Sequence, residues 1–157
     1  FNKKVLDEIQ TKIDETISGD IELANTIENI TSIPGVGMQT ALATIIATDN
    51  FTKFDNARKF CCHAGCAPFS YQSGSSLKSR NKVSQRANKN LKRLFHMAAL
   101  STLRTSGEFK DYFNRKVAEG KNKMTVINAI RSKLINRIFA LEKQNRKYEY
   151  SYTNLLD

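Results

Sequence analysis

Tryptophan is absent from this 157-residue chain, proline occurs twice and glycine seven times. A long β-architecture needs frequent turns, and so little turn chemistry argues against one. Cysteine is scarce as well. Three is an odd number, too few for a disulfide scaffold, and it fits a reducing cytoplasm. Long hydrophobic runs are missing. The best, Ala41 to Ala47, has seven residues and includes Thr44, whereas a membrane span needs roughly 18. No signal-peptide pattern opens the chain. The most informative absence is acidic: from Asn56 to Gly107, 52 residues pass without an Asp or a Glu.

That stretch holds ten basic residues, Arg58, Lys59, Lys78, Arg80, Lys82, Arg86, Lys89, Lys92, Arg93 and Arg104. Elsewhere 15 basic residues meet 15 acidic ones, so the whole formal charge of +10 sits in one third of the chain. A solvated face ordinarily mixes signs. A one-sided block of this length points to a polyanion, and nucleic acid is the first candidate. An anionic membrane surface fits less well, because no helix pairs its basic stripe with bulky exposed apolar residues. Apolar content of 40% is enough for a packed core. The chain begins at Phe1, not Met, and is read as a fragment of a longer protein whose chemistry can be incomplete here.

Periodicity gives an all-α fold. Leu6, Ile9, Ile13 and Ile17 predict a helix from Phe1 to Ser18, the end of a coiled-coil-like arm over residues 1–19. Residues 20–147 form the main domain, and 148–157 a frayed tail. Asp20 caps a helix running to about Ser32. Ile33-Pro34-Gly35-Val36-Gly37 makes a tight turn into a helix from Met38 to Ala47. Asp55 or Asn56 caps a short helix through Cys61. Gly65 to Asn81 is an exposed loop with an extended piece at Phe69 to Gln72. Ser84 caps a helix to about Thr105, with Leu91, Leu94, Phe95, Ala98 and Leu103 on one face and Arg86, Lys89 and Arg93 on another. Helices from Glu108 to Glu119 and from Lys123 to Lys143 complete the domain.

Three motifs bear on chemistry. The first is the turn itself. Two glycines let the backbone approach another surface closely, and the next helix presents free N–H groups suited to a phosphate oxygen. This pattern is similar to a helix-hairpin-helix, which grips backbone without reading bases. Gly35, Val36 and Gly37 would make that contact, unless the hairpin serves packing alone. The second motif is the basic block. Lys78, Arg80 and Lys82 alternate in a Ser/Asn-rich loop, and Arg86, Lys89, Asn90 and Arg93 continue on a helix. The third is the serine loop, with Ser70, Ser73, Ser75 and Ser76. A serine nucleophile must be exposed and near positive charge, with a base or metal at hand. Ser73 before Gly74 meets the first two conditions, but serine-rich loops are ordinarily only loops. Cys61-Cys62-His63-x-x-Cys66 is too compact for structural zinc, so these residues are read as packed thiols and no metal site is assigned. His96 is assigned to packing or surface.

An ordered set of strings carries a resemblance. Ile33-Pro34-Gly35-Val36-Gly37 is followed by Phe51, Phe54 and Ala57-Arg58. Then come Ala64-Gly65-x-Ala67-Pro68, Gln72-Ser73-Gly74-x-Ser76, Asn88-x-x-Leu91 and Met97-Ala98-Ala99. From about Ile21 to Lys143 the chain resembles the C-terminal domain of transposases related to the pilin-gene invertase, the insertion-sequence "one-ten" family. The resemblance implies a separate RuvC-like domain with four acidic residues that bind a divalent metal such as Mg²⁺. It also implies a homo-oligomer in which this domain completes a neighbour's site, and a serine acting on a DNA phosphate. By motif position that serine is Ser73. Some members use a structured non-coding guide RNA, which extends the partners of the basic block from DNA to RNA. It further implies a cytoplasmic, nucleoid-associated protein. Gln85 and Ala87 stand where Lys and Gly are common, and Cys66 where Leu is common. The rival reading is a non-catalytic helix-hairpin-helix module that binds DNA or RNA. A third is an oligomerisation module built on the first helix.

Overall fold

The structure is a computed structural model that describes residues 2–67 and 87–150, together with the backbone of 72–73 and 77–78. Seven helices follow in order: α1 (Asn2–Ser18), α2 (Ile21–Thr31), α3 (Met38–Thr48), α4 (Ala57–His63), α5 (Lys89–Thr102), α6 (Glu108–Ala118) and α7 (Lys123–Gln144). Between α4 and α5 lie two short strands, β1 (Gln72–Ser73) and β2 (Leu77–Lys78). They pair antiparallel, with Ser73 opposite Leu77 and Gln72 opposite Lys78. The all-α class stands. Gln72 of the expected extended piece is in β1, and Phe69 to Tyr71 lie outside the described residues.

Local chemistry sets the helix starts. The carboxylate of Asp20 accepts from the Leu23 amide at 3.0 Å, and the Asn56 side chain accepts from Lys59 at 3.0 Å. Asn122 does the same for Met124 and Thr125. These are orphan first-turn amides satisfied by short polar side chains. At α5 the cap is Asn88, whose side chain accepts from Asn90 and Leu91. It is not Ser84, which lies outside the described residues. The described basic residues of α5 begin at Lys89, and Arg86 lies outside the described residues.

α7 is the central element and touches α2, α4, α5 and α6. Ile127, Ile130, Leu134, Ile138 and Leu141 are buried as the spacing requires, and Val126, Arg131 and Ile135 join them. Such a wide buried face belongs to a helix packed on several sides. Phe60 is fully buried and meets Phe54, Phe95 and Phe139 at ring-centroid distances of 5.3, 6.2 and 5.6 Å. α1 contributes no buried residue, and Leu6 and Ile9 are exposed.

The connection after α3 is held by a buried threonine. Asp49, Asn50 and Phe51 all have positive φ, a costly run for a residue as bulky as Phe51. The Thr48 hydroxyl accepts from the Phe51 amide at 3.0 Å while donating to the Thr44 carbonyl at 2.8 Å. Phe51 then packs edge-on against Phe139. At the other end of the chain, Tyr148 and Tyr150 are docked although the sequence places them at the start of a tail. The Tyr148 amide donates to Ser32 Oγ at 2.7 Å, its ring stacks on Phe109, and its hydroxyl donates to Glu108. Tyr150 donates to Asp111 at 2.7 Å. Burial, and then the Glu108 carboxylate, push the Tyr148 hydroxyl well above its ordinary pKa.

Candidate nucleic-acid interface

The loop that carries the serines has two anchored roots. On the outgoing side, the Ser132 hydroxyl of α7 donates to the Cys66 carbonyl at 2.6 Å. On the returning side, the Asn88 amide donates to the His63 carbonyl at 2.9 Å. The segment that includes the strand pair therefore leaves the described helices after Cys66 and rejoins them at Asn88, at the junction of α4, α5 and α7. Arg80, Lys82 and Arg86 lie outside the described residues, as do Ser70, Ser75 and Ser76.

At that junction is a groove of about 460 Å³ between α5 and α7, lined by Lys89, Lys92, Arg93, His96, Asn128 and Arg131 among others. Among the described residues no carboxylate lines it. Lys89, Asn90 and Arg93 are exposed on the first turns of α5, and Arg93 donates to Asn90 Oδ1 at 3.2 Å. Of the sequence candidates, the described structure brings Lys89, Asn90 and Arg93 together. Lys92, Asn128 and Arg131 join this surface without having been singled out. The missed signal is a lone arginine at a core position of α7, amid Ile127, Ile130 and Leu134.

The Pro34–Gly37 turn stands elsewhere. Val36 is buried with 4% exposure, so it is a core residue and not an open contact. Gly35 has φ +89°, and a Cβ there would lie 2.5 Å from the Thr102 amide nitrogen. Its glycine is required by packing on the C-terminal end of α5. Gly37 is exposed, caps α3 without a side-chain bond, and would have nothing within 4 Å of an added Cβ. Of the three turn residues, only Gly37 remains open to a partner. Thr102 and Lys89 terminate opposite ends of α5, about 20 Å apart at 1.5 Å per residue. The turn and the basic groove are two separate places on the surface.

Cys61 and Cys66 are buried and Cys62 is half-buried. Burial, reinforced by the nearby Cys66, pushes the Cys61 thiol up to about 12. Burial pushes Cys66 up to about 11, partly offset by the charges of Arg131 and Lys92. Both stay neutral thiols at physiological pH. Among the described residues no group of three or more His, Cys, Asp or Glu side chains is arranged to hold a metal ion. Native alkylation near pH 8 is expected to modify one thiol, Cys62, quickly, with Cys61 and Cys66 reacting only on unfolding. Two or more fast native equivalents would contradict this. Stability is also expected to fall as pH rises above about 9. Unfolded thiols ionise there while the buried pair resists until its raised folded pKa values of about 12 and about 11.

Fold and site together define a basic all-α domain with a cation-lined groove at the root of a serine-bearing strand pair. The chain belongs to the IS116/IS110/IS902 transposase family, which residues 27–114 match. It is 29% identical over 129 residues to the pilin gene-inverting protein of Moraxella bovis, covering 82% of this chain and 40% of that protein. It is 28% identical over 120 residues to a 43.6 kDa protein of insertion element IS110 from Streptomyces coelicolor, covering 76% of this chain and 29% of that one. A 42 kDa protein of insertion element IS900 from Mycobacterium paratuberculosis is 28% identical over 127 residues, covering 80% and 32%. The chain thus spans well under half the length of these curated relatives. No described helix is long and apolar enough to cross a membrane.

Proposed function

We propose that this chain is the nucleic-acid-binding, serine-contributing C-terminal domain of a DNA transposase or site-specific recombinase. Family membership supports the class, and a relative's name describes an inversion of DNA. The observation that carries the reading is the location of the loop. The segment containing Ser73 meets the described helices at Cys66 and Asn88, beside a groove that four cations and, among the described residues, no carboxylate line. In this reading the Ser73 oxygen attacks a DNA phosphate. A serine–phosphate ester forms, one sugar–phosphate P–O bond breaks, and the serine proton passes to the leaving sugar oxygen. Lys78, Arg80 and Lys82 offset the negative charge that develops on the phosphate. The ester conserves the bond for rejoining.

Carboxylates are missing from 56–107, so the reading places the acidic half of the site, with its Mg²⁺, in a RuvC-like domain of a neighbouring protomer. The domain binds DNA through Lys78, Arg80, Lys82, Arg86, Lys89, Asn90 and Arg93. Gly37 at the start of α3 supplies a second backbone contact, in the manner of a helix-hairpin-helix. A structured guide RNA is a further partner of the same cations.

The 157-residue chain is expected to bind duplex DNA and to leave supercoiled plasmid intact in Mg²⁺. If it engages about six phosphates, affinity falls by about three decades between 50 and 200 mM salt. Specific cleavage by this chain alone would refute the shared site. Salt-independent binding would refute the phosphate contacts. The alternative, a non-catalytic helix-hairpin-helix module, is separated by the serine variant considered in the Discussion.

A further inference from the structure

Arg131 is the one charged side chain among the buried residues described, with 6% of its surface exposed. Such a charge is normally paired, because removing it from water costs several kcal/mol. Its partners here are few. Nη2 donates to the neutral Oδ1 of Asn128, and Nε is buried with no hydrogen-bond partner among the described residues. Its neighbours in the groove, Lys89, Lys92 and Arg93, add like charge. The ion pairs of the described residues involve none of these four cations. A buried guanidinium without an ionic partner, and three more cations lining the same open groove with no carboxylate among the described residues, make an arrangement completed by an anion.

We propose that the α5–α7 groove seats one backbone phosphate of a bound nucleic acid, with Arg131 at its floor and Lys92 at its wall. This rests on the nucleic-acid reading above and adds to it a specific phosphate site on residues outside the serine loop and the turn. Arg131 supplies the fixed, planar cation that a phosphate oxygen requires, and Asn128 holds the guanidinium in place through Nη2. A phosphate in this position lies at the root of the loop that carries Ser73. Its function is to fix the register of the strand without reading bases.

The test uses the 157-residue chain, Arg131→Met and Lys92→Gln, with inorganic phosphate, duplex DNA and structured RNA as probes. Phosphate is expected to raise the melting temperature of the wild type above that in chloride at matched ionic strength, and to have no effect on Arg131→Met. Without phosphate, Arg131→Met is expected to melt no lower than wild type, because it removes an uncompensated buried charge. Both variants are expected to lower the log–log salt slope of nucleic-acid binding by about 1. The polymer whose slope changes, DNA or RNA, identifies the source of the phosphate. Wild-type binding with unchanged slopes in both variants would overturn the groove and leave the nucleic-acid reading intact. A lower melting point for Arg131→Met with no phosphate effect on the wild type would assign the arginine a structural role and overturn it equally. Should Arg131→Met fail to fold, the Lys92→Gln slope still decides. No binding of either polymer would defeat both readings.

Discussion

Replacing Gly35 with alanine is expected to destabilise the chain by about 2–5 kcal/mol. Two costs add. The residue sits at φ +89°, where an L side chain loses roughly 1–2 kcal/mol. The new Cβ would also stand 2.5 Å from the Thr102 amide nitrogen and 2.9 Å from its Cα. Those are backbone atoms in the last turn of α5, so they cannot rotate away, and overpacking of that kind costs about 1–3 kcal/mol. The melting temperature should fall by roughly 4–20 °C at this chain length. Gly37→Ala is the control. Its φ of −95° suits any residue and nothing lies near the added methyl, so thermal melting should not change. If Gly37 contacts a DNA backbone, its variant loses affinity at unchanged stability. Equal melting points for Gly35→Ala and wild type would contradict the packing assigned to the turn.

The two glycines show where sequence reasoning stops. Gly-x-Gly in a turn before a helix signals a tight bend and a close approach, and both are present. It does not say what is approached. Gly35 meets α5 of its own chain, a contact 67 residues away in sequence, and no local pattern encodes it. Val36 was legible as apolar, but only the packing shows that it is buried and closed to a ligand. The helices themselves were readable because their caps and apolar spacing are local. α5 was the exception: Ser84 and Asn88 are both good caps, and the tie from the Asn88 amide to His63 decides between them.

The basic surface was legible in the same partial way. A stretch without carboxylates identifies a polyanion-binding region by composition alone, and Lys89, Asn90 and Arg93 lie on it. Arg131 was not found, because it belongs to a different helix, outside the stretch without carboxylates. Its signal, an arginine in the buried stripe of α7, becomes meaningful only when α5 packs beside it. The serine loop is the reverse case. Ser73 was selected among four serines by a family string and not by chemistry visible in the residues.

The second large effect concerns that serine, and it tests the central claim directly. The measurement is recombination by the full-length parent protein on a plasmid carrying its own element, comparing wild type with Ser73→Ala. The variant removes one oxygen and no charge, so expression, melting temperature and the salt slope of DNA binding are expected to stay within error. Recombination is expected to fall below detection, because without the Ser73 hydroxyl the ester cannot form. Recombination near the wild-type rate by a folded, DNA-binding Ser73→Ala protein would contradict the account and leave this domain a binding module without a part in bond breaking.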